Sequence, residues 1–243
     1  MKFEVLKDIV DGTDTMIVKP IEVLSDAQYD SIKHIVESMG GHWREKLNGF
    51  VFYTGYIHKT LDHMWREENQ FFPTPENLSN RVVELSGIRN MVGVPLKILE
   101  PSAGSGALLR KLPLSSKHTY TVIEPEEKNV TILEGLGFKV NACTFEEYCR
   151  THKNKFTHVI MNPPFSHSRD IKHVMMAYDL LEDGGRLVAI VSENSMYYKN
   201  EHSERFRNWL KEVGASIETT APGSFKESGT MVDTVIITVN KSR

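Results

Sequence analysis

Cysteine is scarce in this chain. Cys143 and Cys149 are its two cysteines, spaced unlike metal ligands, and such sparing use fits a reducing cytoplasm. The ten histidines are scattered, with no His-x-x-x-His pair beside a carboxylate, so no metal site is expected. There is no run of about eighteen apolar residues, the length a membrane-spanning helix needs. Met1-Lys2-Phe3-Glu4 opens a stretch of alternating charge, not the apolar core of a signal peptide. Internal repeats and low-complexity tracts are missing. So is an excess of basic charge: the formal net charge is −3, whereas proteins that act on nucleic acids usually carry a basic face. That balance argues against a long charged footprint and leaves room for a local one. Arg44 with Lys46, Arg169 with Lys172, and Lys199 with Arg205 and Arg207 are the candidate positions. The alternative for each is an ordinary solvated helix face.

A chain of 243 residues can bury a sizeable core, and two regions separate. Residues 1–66 read as a small helix-plus-hairpin module. Ser25 is a candidate N-cap after Leu24, and Ile32, Ile35, Val36 and Met39 form an apolar stripe at helical spacing. Lys46-Leu47-Asn48-Gly49 then reads as a turn between two short strands, with Trp43 and Phe52 as core residues more readily than base-stacking ones. Across residues 67–243 strands and helices alternate, which predicts an α/β domain with a mostly parallel sheet covered on both faces. The expected strands are 96–100, 119–124, 137–141, 156–161, 185–192, 215–219 and 232–239. The expected helices lie near 75–87, 105–111, 126–134, 168–181 and 202–213. Asp183-Gly184-Gly185 reads as a turn, and Gly214 as a helix stop.

The tetrapeptide Asn162-Pro163-Pro164-Phe165 closes the apolar run 156–161, at what should be the carboxyl end of a buried strand. Ligands of open α/β sheets bind at that edge. Each proline holds the residue before it in extended backbone, so the loop is stiff and presents an amide side chain beside backbone carbonyls. Such acceptors suit an exocyclic NH2 group, with Phe165 free to stack on a ring; a proline-stiffened turn without chemistry is the alternative. Upstream, 96–100 followed by Pro101-Ser102-Ala103-Gly104-Ser105-Gly106 reads as strand, glycine turn and helix, with Leu109 where a dinucleotide fingerprint would place its third glycine. Glu124, eighteen positions beyond Gly106, ends the next apolar run and could accept hydrogen bonds from ribose hydroxyls.

Glu-Pro-Ser-Ala-Gly-Ser-Gly, then Val-Ile-Glu-Pro, then Asn-Pro-Pro-Phe resembles the S-adenosylmethionine-dependent amino-methyltransferases, and is most similar to the DNA adenine-N6 methyltransferases among them. The resemblance covers roughly residues 70 to 240. It implies a Rossmann-like class I fold with seven strands, the last two forming a hairpin, and S-adenosyl-L-methionine as cofactor. Phe71-Phe72-Pro73-Thr74-Pro75 is similar to the segment that closes over the methionine end of that cofactor. On this likeness Asn162, Pro163, Pro164 and Phe165 are catalytic. Phe72, Thr74, Pro75, Glu100, Pro101, Ser102, Gly104, Gly106, Glu124, Pro125, Thr144 and Phe145 bind cofactor. Phe165, Arg169 and Phe225 meet the substrate, and no metal takes part. For Phe225, a loop anchor is an equal alternative.

The implied partner is duplex DNA with the target adenine extruded, in the cytoplasm of a bacterial host and away from any membrane. Two departures stand out. Thr144 occupies the place of an acidic residue that contacts the cofactor's adenine in this family. The last expected strand, 232–239, lies close to Arg243, so a separate carboxyl-terminal recognition domain is not expected. Site choice would then fall to the amino-terminal module, to loops such as 192–205, to a homodimer or accessory partner, or would be weak. Residues 41–52 resemble a module found before this domain in phage and mobile-element enzymes. Methylation of an RNA base amine or a protein glutamine, and a nonenzymatic nucleic-acid-binding module, are the competing readings.

Overall fold

In the computed structural model the described residues are 3–10, 13–21, 25, 29, 33, 37, 41–53, 72–91, 93–228, 230, 232 to 242. The chain divides into two compact units, Met1–Asn69 and Gln70–Arg243. In the first, β1 (Phe3–Val10), β2 (Thr13–Pro20), β3 (His42–Arg44) and β4 (Gly49–Tyr53) form an antiparallel sheet in the order β1-β2-β4-β3. The β1–β2 hairpin was not expected from sequence. The β3–β4 hairpin was, and its connection carries Asn48 at φ 46, a left-handed position asparagine tolerates. Phe50 and Phe52 are buried there, with Trp43 packed edge-on against Phe50 at 4.8 Å. Of the expected helix, Tyr29, Lys33 and Glu37 are helical; Ile32, Ile35, Val36 and Met39 lie outside the described residues.

The second unit is a seven-stranded sheet. Its elements are α1 (Glu76–Ser86), β5 (Lys97–Glu100), β6 (Thr119–Ile123), α2 (Glu127–Gly135), β7 (Val140–Asn141), α3 (Phe145–Thr151), β8 (Phe156–Met161), α4 (Arg169–Asp179), β9 (Leu181–Ser192), α5 (Asn194–Tyr197), α6 (Glu201–Glu212), β10 (Ser216–Thr219) and β11 (Thr234–Asn240). The order is β10-β11-β9-β8-β5-β6-β7. β11 runs antiparallel to β9 and β10, and the other pairings are parallel. Alternation along the strands builds two cores. Val159, Met161, Leu187 and Ala189 face Val174 of α4 and Phe206 of α6. Ile160, Val188 and Ile190 face Val82 of α1 and Leu133 of α2.

Three segments differ from expectation. Residues 105–111 are turns ending in a 3-10 segment, Leu109–Lys111, because Gly104 and Gly106 hold positive φ and Pro113 draws Leu112 into extended backbone. Phe145–Thr151 is a helix that was not among those expected; Thr144 and Glu147 form a capping box at its start. Asp183-Gly184-Gly185 lies inside β9 as an irregularity: Phe156 pairs with Leu181 while His158 already pairs with Arg186. A Cβ on Gly185 would sit 2.8 Å from the Glu182 carbonyl oxygen, so only glycine fits that crossing.

Candidate active site

The strand order reverses between β5 and β8: the chain leaves β5 toward β6 and β7, then returns to β8 on its other side. Loops that follow these two strands diverge, and the crevice between them is where open α/β sheets bind ligands. Residues 101–106 follow β5, and Asn162 follows β8. The Ser102 hydroxyl bridges the two loops by donating to the Asn162 carbonyl at 3.3 Å.

The Asn162 side chain is oriented by the segment that precedes α1. Its Nδ2 donates to Thr74 Oγ1 at 2.9 Å and to the Phe72 carbonyl at 3.4 Å. A carbonyl can only accept, so this contact fixes which end of the amide carries the nitrogen. The other end, Oδ1, is buried and has no partner. An acceptor withdrawn from water without a donor is costly to keep; a ligand N–H would complete it. Phe72 to Pro75 is itself held, because Ser228 Oγ donates to the Pro73 carbonyl at 2.6 Å and the Ser79 amide to that of Pro75 at 2.9 Å.

Two acidic side chains end the strands beside Asn162. Glu100 is 2% exposed, and its Oε2 lacks a partner. Burial, and after it the charge of Glu124, holds its carboxyl well above the usual range. Glu124 is raised by burial as well. Its Oε2 accepts from the Gly104 amide at 2.7 Å, and its Oε1 from the Glu126 amide at 3.0 Å and Asn129 Nδ2 at 3.4 Å. Three of about four acceptor positions are therefore taken, leaving room for one hydroxyl rather than the two expected. Gly106 sits at φ +85, and an added Cβ would meet Leu133 Cδ2 at 3.0 Å. A buried acid lacking a counter-charge and a second with a spare lone pair fit a ligand that carries both an ammonium group and a ribose.

Other expected residues fall differently. Pro101 is buried beneath the glycine turn, and Pro125 is exposed beyond Glu124. The Thr144 hydroxyl accepts from the Glu147 amide and donates to the Glu147 carboxylate, so it serves α3. Phe145 points into the core, edge-on to His173 at 5.4 Å, and its ring cannot line the crevice. Pro163 is buried; Pro164 and Phe165 are partly exposed. Phe225 is fully buried and packs edge-on under Phe165 at 6.0 Å, the loop-anchor placement, where it supports that ring without offering a face of its own. Arg169 turns back to Ser166 Oγ at 2.6 Å, and the His167 side chain lies outside the described residues.

Sequence reading missed Asp170. It is fully buried in the first turn of α4 and accepts from the Ile171 amide at 2.9 Å, the Ser192 amide at 3.0 Å and Ser195 Oγ at 2.8 Å. It thereby ties the helix after the Asn162 loop to the end of β9. An acid in a first helical turn is too common to have flagged it. Near these strand ends, Glu193, Asn194, Thr230, Val232 and Asp233 line a cleft of about 450 Å³.

No family model matches the sequence. A class I S-adenosylmethionine-dependent methyltransferase candidate from Listeria monocytogenes superposes with a TM-score of 0.54, over 79% of this chain and 69% of that one, at 13% identity. The fold is that of the class I S-adenosylmethionine-dependent methyltransferases. A chain from a type I restriction–modification system shares this methyltransferase fold with a TM-score of 0.57, over 77% of this chain and 46% of its own length, at 17% identity. In sequence, the type II restriction enzyme and methyltransferase RM.BcgI of Heyndrickxia coagulans is 27% identical over 166 residues. That match covers 54% of this chain and 25% of RM.BcgI, so the chain spans about a quarter of this curated relative.

Among the described residues no helix is long and apolar enough to cross a membrane.

Proposed function

We propose that the chain transfers the methyl group of S-adenosyl-L-methionine to the N6 amine of adenine in DNA. The observation that carries this reading is Asn162: its amide nitrogen is occupied by Thr74 and Phe72, and its oxygen is left buried and unpaired at the crevice. An adenine amine is a poor nucleophile because its lone pair is delocalised into the ring. Asn162 Oδ1 accepts one of its protons and the Pro163 carbonyl the other, which favours a pyramidal nitrogen. Phe165, backed by Phe225, stacks on the base. Glu100 faces an ammonium group and Glu124 a ribose hydroxyl. The bound cofactor supplies a methyl already activated on sulfonium sulfur. A nitrogen–carbon bond forms as the carbon–sulfur bond breaks, and the proton released from nitrogen passes to water. Holding these atoms in line is an orientation effect and needs no strong base.

On this reading residues 67–243 are the catalytic domain and 1–66 an appended module. DNA as the substrate draws support from the restriction–modification relatives, although the fold also occurs in a protein described as an RNA methyltransferase. The test is transfer of labelled methyl to unmethylated duplex DNA, followed by nucleoside analysis. The expected outcome is N6-methyladenine from the wild type and about 10²–10³-fold less from Asn162→Ala, the scale of losing one group that stabilises a transition state. Label in RNA or protein but not DNA would transfer the same chemistry to those substrates. Equal activity of Asn162→Ala would refute the role of the amide.

A further inference from the structure

Residues 193–200 connect β9 to α6 and expose Tyr197 by 70% and Tyr198 by 56%, the two aromatic side chains most open to water among the described residues. Leaving two rings in water forgoes burial free energy, and a loosely held loop would fold them inward. This one is pinned from both ends. Asp170 holds the Ser192 amide and the Ser195 hydroxyl. Arg207 Nη1 donates to the Met196 carbonyl at 3.1 Å and the Tyr198 carbonyl at 3.0 Å. Asn200 caps α6 by accepting from the Ser203 amide at 2.8 Å. These anchors grip backbone or Ser195 and leave both rings free.

The location is specific. The strap rises from β9, the neighbour of β8, which Asn162 follows, and Asp170 joins it to the helix that follows the Asn162 loop. Lys199 follows Tyr198 directly and Arg205 lies in the helix that the strap leads into; both are exposed, and neither forms an ion pair among the described residues.

We propose that Tyr197 and Tyr198 form a stacking platform for unpaired bases beside the target, with Lys199 and Arg205 on the phosphates of the same strand. The proposal rests on the reading that the chain methylates a nucleobase amine, and it makes locally single-stranded nucleic acid the preferred substrate form. Every base offers a face to an aromatic ring, so such a platform tolerates any sequence. Glu193, Glu201 and Glu204 in the same stretch offset its cations. Stacking therefore dominates over charge, and two phosphate contacts give a shallow salt slope of about −1.4 in log K against log salt.

The test is anisotropy of a short fluorescein-labelled single-stranded DNA bound to the full chain in S-adenosylhomocysteine. Tyr197→Ala and Tyr198→Ala should each weaken binding by about five- to 150-fold. Tyr→Phe at either position should keep it, because the ring and not the hydroxyl is used. Unchanged calorimetric affinity for S-adenosylhomocysteine checks that the variants are folded. Alanine variants that bind like the wild type, or a salt slope several times steeper, would overturn the platform while leaving base methylation standing. A wild type that binds the cofactor but neither binds nor methylates any nucleic acid would overturn both.

Discussion

Thr74→Val isolates the anchor of the Asn162 amide. Valine keeps the shape of threonine but removes the acceptor 2.9 Å from Nδ2, leaving only the 3.4 Å contact with the Phe72 carbonyl. A neutral hydrogen bond contributes about 0.5–1.5 kcal/mol net, and a buried donor left unpaired costs about 1–3 kcal/mol. That loss falls on orientation: a freed amide can swing its nitrogen to where Oδ1 now stands, presenting a donor to an amine that needs an acceptor. Taking about 1.5–2 kcal/mol for the bond and the unpaired proton together, kcat should fall about ten- to thirtyfold. KM for S-adenosylmethionine should move far less, and Tm should drop by about 2–4 °C for each kcal/mol lost. Steady-state methyl transfer at varied cofactor, with S-adenosylhomocysteine affinity from calorimetry, reads both quantities. Thr74→Ser should restore kcat, since it returns the hydroxyl. A raised KM with unchanged kcat would refute the reasoning and leave Thr74 as simple lining of the cofactor crevice.

Glu100→Gln removes a carboxyl that burial and Glu124 hold well above its ordinary 4.5. The folded state keeps that proton better than the unfolded state, so its contribution to stability is lost as pH rises from about 4.5 through the folded value. Glutamine has no such loss. The cofactor-free variant should match the wild type in Tm near pH 4.5, exceed it near pH 8, and bind S-adenosylmethionine more weakly; equal Tm at pH 8 would contradict the burial argument. Gly106→Ala must hold alanine at φ +85 with its Cβ 3.0 Å from Leu133 Cδ2 and 3.3 Å from Leu136 Cδ1. Left-handed backbone alone costs about 1–2 kcal/mol, so urea unfolding should show at least that loss, and a variant as stable as the wild type would argue against the crowding.

The sheet was legible because buried parallel strands write themselves as short apolar runs. β5, β6 and β8 fall where 96–100, 119–124 and 156–161 do, and a polar residue ends β5 (Glu100) or directly follows β6 (Glu124) and β8 (Asn162). The strand-end acids Glu100 and Glu124 and the amide of Asn162 were visible by the same logic. Tertiary partners were not. Nothing in the sequence says that Thr74 and Phe72 lie against Asn162, or that Asp170 spans to Ser192 and Ser195. The helix α3 was legible in principle, since Thr144-Phe145-Glu146-Glu147 carries a capping-box signature. Family likeness gave Thr144 and Phe145 a cofactor role instead and so hid it. Phe225 illustrates the remaining gap: an aromatic residue in a loop has one appearance in sequence whether it faces a base or, as here, the core.

The bond between Asn162 and Thr74 also sets where the molecule can be cut. The second unit begins at Gln70, and the two residues that hold the amide, Phe72 and Thr74, come before α1 starts at Glu76. A fragment starting at Glu76 would retain every strand of the large sheet and still release the amide from its mooring. Fold and chemistry thus have different minimal lengths in this chain. A shortened version judged by folding alone would look intact after its reactive loop had lost its alignment.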